Sequence, residues 1–420
     1  MKLESVTREL GLESGTKVLE TEWERSQVEL PNGGLFFLGP EFVAKACREA
    51  GVADRVEQAT VAAGKRINSQ PVASALAWHF HYCLFRAAEY PRDLIHEWPS
   101  LDDALDGDGR MLYLLVLLSG LPELERFNEA HAVPKEVARE TLSDIDRWLG
   151  GEEDEPLQPP WGITPHAIGW LINHLKGELY RLGRLQFQFG TSHYEIVAFR
   201  NRSSRAVLAL SGEGIRYRED GGRVTEGVES GAGAWTARLI VTDQQITGTP
   251  ILPEGRAHRE EVTLNTAEWE RVLAPEMPAV YIHMPAGGPM GYEECGESLR
   301  RALEFFPRHF PDRPFDAFTC GSWLLDSELQ DLLPATSNIV RFQREFYLLP
   351  IGLQPRYLYR RIFGSETLDP ETAPRDTALR RAVLDIVSSG GTLRPTGGGC
   401  FLLPEDFDWG AQVYLRKGLP

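Results

Sequence analysis

The chain has 420 residues, 42% of them hydrophobic and 10% aromatic, and a formal net charge of −17. One ordinary hydrophobic core does not accommodate that length, so two or three domains are expected. The acidic balance argues against nucleic acid or an anionic membrane as a partner, because phosphate binding needs a positive field. The opening MKLESVTREL carries no apolar core suited to a secretory signal. The longest greasy run, Met111–Leu118, falls far short of the ~20 residues of a membrane span, so a cytoplasmic protein without a membrane partner is expected. Five cysteines (Cys47, Cys83, Cys295, Cys320, Cys400) are scattered and form no CxxC pair, which points to neither a disulfide framework nor a cysteine metal site.

In chain order, Met1–Glu29 is charged and mixed and reads as an ordered arm or a small helical lead-in. Apolar residues then recur at helical spacing in Phe42–Ala50, Asp54–Ala63, Val72–Ala88, Met111–Leu118 and Pro134–Leu149, with breaks at Gly51, Pro91, Pro99, Gly107-Asp108-Gly109, Gly120-Leu121-Pro122 and Pro134. This predicts an all-α domain over 1–150. Glycine, acids and prolines from 151 to 160 read as a linker. Pro165–Leu182 reads as an amphipathic helix, and strand-like stretches follow at Leu185–Phe189, Tyr194–Arg200, Ala206–Leu210, Ala237–Val241 and Glu261–Leu264.

The segment Ala279–Pro350 organises the second half. Ala279–Met284 is a short apolar run stopped by Pro285, which favours a buried strand, and Ala286–Gly291 makes a glycine turn. From Glu293 to Phe306, Cys295, Leu299, Ala302, Leu303 and Phe306 share one helical face. Phe315–Leu325 reads as a second buried strand, Ser337 or Asn338 as the cap of a helix reaching Phe346, and Tyr347–Leu349 as a third strand. This βαβαβ order predicts strands lying side by side. Beyond it, Tyr357–Phe363 reads as a strand and Thr377–Ser389 as a helix. Gly397–Leu403 either finishes the sheet or packs across the core.

Three blocks, WLINHLKGELYRLGRLQFQ (Trp170–Gln188), YIHMPAGGPM (Tyr281–Met290) and CGSWLLDSELQDLLPATSNIVRFQREF (Cys320–Phe346), resemble a bacterial two-domain acyltransferase-like family. Its members join a helical N-acyltransferase N-terminal domain to a C-terminal domain like that of the GCN5-related N-acetyltransferases (GNAT). The resemblance implies an α+β or α/β fold class: an all-α N-terminal domain, then a GNAT-like mixed β-sheet domain flanked by helices over 161–420, with 351–420 as its C-terminal extension. It further implies transfer of an acyl group from acyl-CoA or acetyl-CoA to the amine of a small molecule or peptide. The alternative is a GNAT-like binding or scaffold protein without catalysis.

The same resemblance implies a site. The backbone near Ile282 and Met284 would support the thioester carbonyl, and Gly287, Gly288 and Gly291 would receive the pyrophosphate. Cys320 and Ser322 would line the gap taken by the acyl-pantetheine. Asn338 matches the family's helix asparagine, and Tyr347 lies slightly after the place of the tyrosine that protonates the departing thiolate. Taken as residues alone, these positions keep plainer readings. The glycines equally suit a turn without ligand, and the loop reads PAGGPMG where the family pattern begins with arginine or glutamine. Glu293, Glu294 and Glu297 crowd the helix start and would repel phosphate. His283, with a reference pKa of ~6.5, suits a general base, whereas a lone histidine in an apolar run is more often a core residue. Cys320-Gly321-Ser322-Trp323 partly resembles the CGSCW of papain-like proteases but lacks its second cysteine. His174 and Glu178 stand one helical turn apart and read as a solvated pair or as a base with its orienting carboxylate.

Overall fold

The computed structural model describes residues 1–12, 16–151, 153, 156–225, 231–285, 288–391, 393, 395 and 397–416. It divides into two compact units, Met1–Gln188 with Pro285–Gly287, and Phe189–Met284 with Gly288–Pro420.

The first unit is helical as far as Leu175. Helices Pro40–Glu49, Asp54–Ser69, Pro71–Phe85 and Gly109–Leu118 form where the apolar spacing predicts them. Pro71–Phe85 and Gly109–Leu118 are buried on nearly every side and make the centre against which the amphipathic pair Pro40–Glu49 and Asp54–Ser69 packs. A helix at Leu121–Ala130 was not expected. Pro122 reads as a breaker, yet it sits in the first turn, where a missing N–H costs no hydrogen bond. The expected Pro134–Leu149 helix is an α-helix at Lys135–Leu142 continued by a 3-10 segment at Ser143–Trp148. Met1–Glu29 forms three short helices, Leu3–Glu9, Lys17–Glu20 and Trp23–Val28. Of the linker expected at 151–160, residues 152, 154 and 155 lie outside the described residues.

The helix that begins at Pro165 stops at Leu175 rather than Leu182. Leu179 and Leu182 keep helical spacing, but Gly177 adopts the left-handed conformation at φ +64°, which ends the helix. The chain then turns into a hairpin of Leu179–Leu182 with Leu185–Thr191, in which Leu182 pairs with Leu185.

The main sheet of the second unit includes β1 (Pro278–His283), β2 (Ala317–Gly321), β3 (Tyr347–Pro350) and β4 (Gly398–Leu402), in the order β1-β2-β4-β3. β1 and β2 run parallel and are joined through helix α1 (Tyr292–His309), which buries Cys295, Leu299, Ala302 and Phe306 as expected. The expected neighbour relation of β2 and β3 is corrected: β4 inserts between them, antiparallel to both. A second, antiparallel sheet orders Arg256–Ala257, Pro250–Leu252, Val207–Ser211, Ile196–Asn201 and Trp269–Leu273. Tyr357–Phe363, expected as a strand, belongs to helix Pro355–Phe363. Leu358 and Ile362, one helical turn apart, bury against Val383 and Leu393, and that tertiary burial decides the conformation of an otherwise ambiguous aromatic run. The helix expected at Thr377–Ser389 spans Ala378–Ser388, with the Thr377 side chain accepting the Arg380 N–H as its cap.

Candidate active site

β1 and β2 pair at Ala279↔Ala317, Val280↔Phe318 and Tyr281↔Thr319. Pairing then stops, although β1 continues to His283 and β2 to Gly321. β2 remains paired to β4 as far as Gly321↔Gly399. The two parallel strands therefore part beyond Tyr281 and Thr319, the last pair of their ladder. Alternation along the strands puts Tyr281, His283, Thr319, Gly321 and Gly399 on one face of the sheet.

Gly321 and Gly399 give this face a floor without side chains, and Tyr194 lies over it. A Cβ on Gly321 would stand 3.3 Å from the Tyr194 Oη, and one on Gly399 3.1 Å from its ring. Tyr194 is 5% exposed, yet its Oη has no hydrogen-bond partner among the described residues. The Thr319 Oγ1, on the same face and fully buried, also has none. Burial, reinforced by Cys400 and Cys320 nearby, holds the Tyr194 proton well above the ordinary phenol range. Tyr281 lies across Gly190, where a Cβ would meet its ring at 2.4 Å. Its Oη donates to the Thr191 carbonyl at 2.5 Å and accepts the Thr191 N–H at 3.2 Å. Two imidazoles flank that ring, His193 at 5.5 Å and His283 at 6.5 Å between centroids. His193 and Tyr194 were not read as site residues: Tyr194 was expected to open the strand Tyr194–Arg200, which begins only at Ile196, and no motif singles out either.

The other expected site residues are placed as follows. Ile282 is buried and Met284 half-buried at the C-terminal end of β1. Gly287 lies outside the described residues; Gly288 is exposed, and Gly291 is the N-cap of α1, with no side chain capping the helix. Of the acids that follow, Glu293 pairs with Arg341 at 3.2 Å and Glu297 with Arg300, while Arg341 also lies 3.6 Å over the Tyr292 ring. Cys320 is buried opposite Cys400, and alternation turns it to the other face of the sheet from Tyr281 and His283. The Ser322 Oγ accepts the Leu324 N–H and is thereby used as a cap. Asn338 is exposed at the start of helix Asn338–Gln343, and Ser337 supplies the cap, accepting the Val340 N–H. Tyr347 is fully buried: its Oη donates to the Ile251 carbonyl and accepts the Ala209 N–H at 3.1 Å, so it has no proton to spare for a substrate. In the first unit, His174 stands 3.2 Å from Asp144 and Glu178 pairs with Arg92 at 2.6 Å, so the two do not form a couple. Among the described residues no group of three His, Cys, Asp or Glu side chains is placed to hold a metal ion, and no helix is long and apolar enough to cross a membrane.

An acyl thioester suits this site: the strands part, the floor carries no side chains, and two buried hydroxyls lack partners. Near the start of α1, Arg341 and Arg300 offset the Glu293 and Glu297 carboxylates.

A helical unit ahead of a mixed sheet with parting parallel strands is the fold of an acyltransferase. The chain belongs to the GNAT-like C-terminal domain family, which matches residues 179–401, and residues 41–177 match the N-acyltransferase N-terminal domain. The family and fold class expected from the three sequence blocks are thus borne out. Three solved structures are similar at about full length. An acyltransferase in complex with decanoyl-CoA and teicoplanin has a TM-score of 0.59 and 20% identity, over 96% of this chain and 99% of that one. An acyltransferase mutant with octanoyl-CoA has a TM-score of 0.58 and 20% identity, over 96% and 99%. An acyltransferase with decanoyl-CoA alone has a TM-score of 0.54 and 19% identity, over 96% and 98%. No curated protein matches the sequence.

Proposed function

We propose that this acyltransferase moves an acyl group from acyl-CoA to an amine, that of a small molecule or a peptide, and that it works in a bacterial cytoplasm. The observation that carries the reading is the parting of β1 and β2 beside the unpartnered Tyr194 and Thr319 hydroxyls. Acyl-CoA in the similar solved structures supports the donor, and teicoplanin in one of them supports a glycopeptide amine as acceptor. Five buried cysteines left as thiols suit a reducing compartment.

In this reading the thioester carbonyl meets the backbone of Ile282–Met284 beyond the last β1–β2 pair, whose N–H groups steady the developing oxyanion. His283 takes the amine proton, with His193, across the Tyr281 ring, as the geometric rival. Gly288 and Gly291, with Gly287, receive the pyrophosphate, and Asn338 is assigned to binding of the donor. A second reading, a binding or scaffold protein without catalysis, draws on Glu293 and Glu294 at the start of α1.

Calorimetry with acetyl-, octanoyl- and decanoyl-CoA tests the first reading. Thiol release is then followed with a panel of amines: an aminosugar, a lysyl peptide and a diamine. Binding with amine-dependent thiol release is expected, and failure to bind any of the three at millimolar concentration overturns the reading. Binding without thiol release for every amine would favour the scaffold.

A further inference from the structure

We propose that Tyr194 and Ile351 fix the length of the acyl group this enzyme accepts, and that it takes short chains, acetyl before octanoyl. The inference rests on the acyl-transfer reading above. Gly321 on β2 and Gly399 on β4 stand directly opposite each other, so the sheet carries a trough without side chains beside the place where β1 and β2 part. Glycine inside a strand costs stability and packs nothing, and it commonly marks the close approach of a ligand or of another stretch of chain. Here Tyr194 and Ile351 make that approach. A Cβ on Gly399 would stand 2.7 Å from the Ile351 Cγ2 and 3.1 Å from the Tyr194 ring, and one on Gly321 3.3 Å from the Tyr194 Oη and 3.8 Å from the Ile351 Cδ1.

An alkyl chain lying on this floor needs carbon contacts of about 3.5–4.0 Å below and above it. The space over Gly399 is already taken at that height by the two side chains. Gly321 is exposed and Gly399 buried, so open space reaches the first glycine and ends before the second. An acyl group that leaves the parting of the strands and runs over β2 therefore meets the hydroxyl edge of Tyr194 at Gly321. Behind the ring the trough continues across Gly399 to Leu349, which pairs with Gly399 from β3, shares its face and is 2% exposed. Tyr194 and Ile351 thus cover a strip of floor about one strand spacing wide, ~4.8 Å, with Leu349 as its far wall.

Both side chains are carried on connections rather than on paired strands: Tyr194 lies between Thr191 and Ile196, and Ile351 follows β3 directly. Trimming either leaves the sheet ladders intact. An aromatic ring over strand glycines is also a known packing device, which needs no ligand. The two roles part in one readout. A cover changes stability when it is trimmed and treats all donors alike, whereas a wall changes the ratio between long and short donors.

The test measures kcat/KM with acetyl-, butyryl-, hexanoyl- and octanoyl-CoA and the fastest amine of the panel. In wild type the value is expected to fall with chain length, by at least ~10-fold from acetyl to octanoyl, because a methylene too many in a closed pocket is rejected by about 10-fold or more. Tyr194→Ala should raise the octanoyl-to-acetyl ratio at least ~10-fold, and Ile351→Ala should raise it by a smaller factor. Tyr194→Phe keeps the ring and must keep the wild-type ratio, whatever its rate; a ratio that moves with the hydroxyl alone overturns the steric assignment. Tyr194→Ala empties a buried site, so Tyr194→Leu and the half-buried Ile351→Ala carry the test if that variant does not fold. An unchanged ratio in the folded variants, or an equal loss with every donor, means that the two side chains only cover the glycines, and overturns the proposal. Wild type that prefers octanoyl-CoA, or turns over all four donors alike, overturns it alone. Wild type that transfers no acyl group from any of them overturns the acyl-transfer reading and this inference with it.

Discussion

Arg200 and Asp406 face each other as a bidentate ion pair, Nη1 to Oδ1 at 2.9 Å and Nη2 to Oδ2 at 2.7 Å, both side chains buried. The pair ties strand Ile196–Asn201 to the segment that follows β4, and Glu405 adds a half-exposed oxygen 3.0 Å from the same guanidinium. Removing Asp406 leaves the buried guanidinium with only the half-exposed Glu405 carboxylate beside it. Asp406→Ala is expected to lower the unfolding free energy by about 3–5 kcal/mol, read from the urea midpoint. Replacing both, Arg200→Met with Asp406→Leu, should recover most of that loss. A single-variant cost below about 1 kcal/mol is the value of a solvated surface pair and would contradict the burial argument.

Tyr347 makes the opposite case to Tyr194, since both directions of its hydroxyl are occupied. Tyr347→Phe leaves the Ala209 N–H and the Ile251 carbonyl unpaired in the core, where Tyr347 is itself fully buried. The expected outcome is a stability loss of about 1–3 kcal/mol with turnover per folded molecule unchanged. Lost turnover at full stability would restore this tyrosine to the chemistry.

These two tyrosines show where the sequence is informative. Helices were legible wherever burial follows local period, as in Asp54–Ser69 and α1, because the signal lies within the element itself. The insertion of β4 between β2 and β3 was not, since strand order depends on a partner far along the chain and leaves no local trace. The same holds for the site. β1, α1 and the parting strands could be placed by family resemblance, but a tyrosine's role depends on whether its hydroxyl finds a partner. Tyr347 finds Ala209 and Ile251 from the other sheet, Tyr194 finds none, and their sequence surroundings distinguish neither.

His79 and His81 give the helical unit a dependence on acid. His79 is buried beside Ser26 and Cys83, and burial lowers its pKa from 6.5 to about 3. His81 is buried against Ser119, and burial, helped by Arg86, lowers its pKa from 6.5 to about 4. Between pH 6.5 and those values the unfolded chain binds protons that the folded chain refuses, so this stability is full above pH 6.5 and is lost as pH falls. Each histidine contributes a slope of about 1.4 kcal/mol per pH unit within its window. Urea denaturation between pH 7 and 4.5 should show stability falling steadily, and His79→Gln should flatten the fall by about half. A pH-independent midpoint over that range would mean that the imidazoles protonate in place.

Gly321 tests the slot from the floor that faces Tyr194. It is exposed, it needs no left-handed backbone, and a Cβ there points at the Tyr194 Oη from 3.3 Å. Valine at this position sets two methyl groups where the acyl-thioester arm is expected to lie, while the strand pairing of Gly321 with Gly399 can persist. Gly321→Val is therefore expected to keep its unfolding midpoint close to wild type and to lose at least ~10-fold in octanoyl-CoA affinity, equivalent to about 1.4 kcal/mol. Gly399→Ala supplies the contrast, since its Cβ would stand 2.7 Å from the Ile351 Cγ2 in a buried site and must cost stability. If Gly321→Val binds octanoyl-CoA as tightly as wild type, the donor does not pass between β1 and β2, and the site must be sought elsewhere on the sheet.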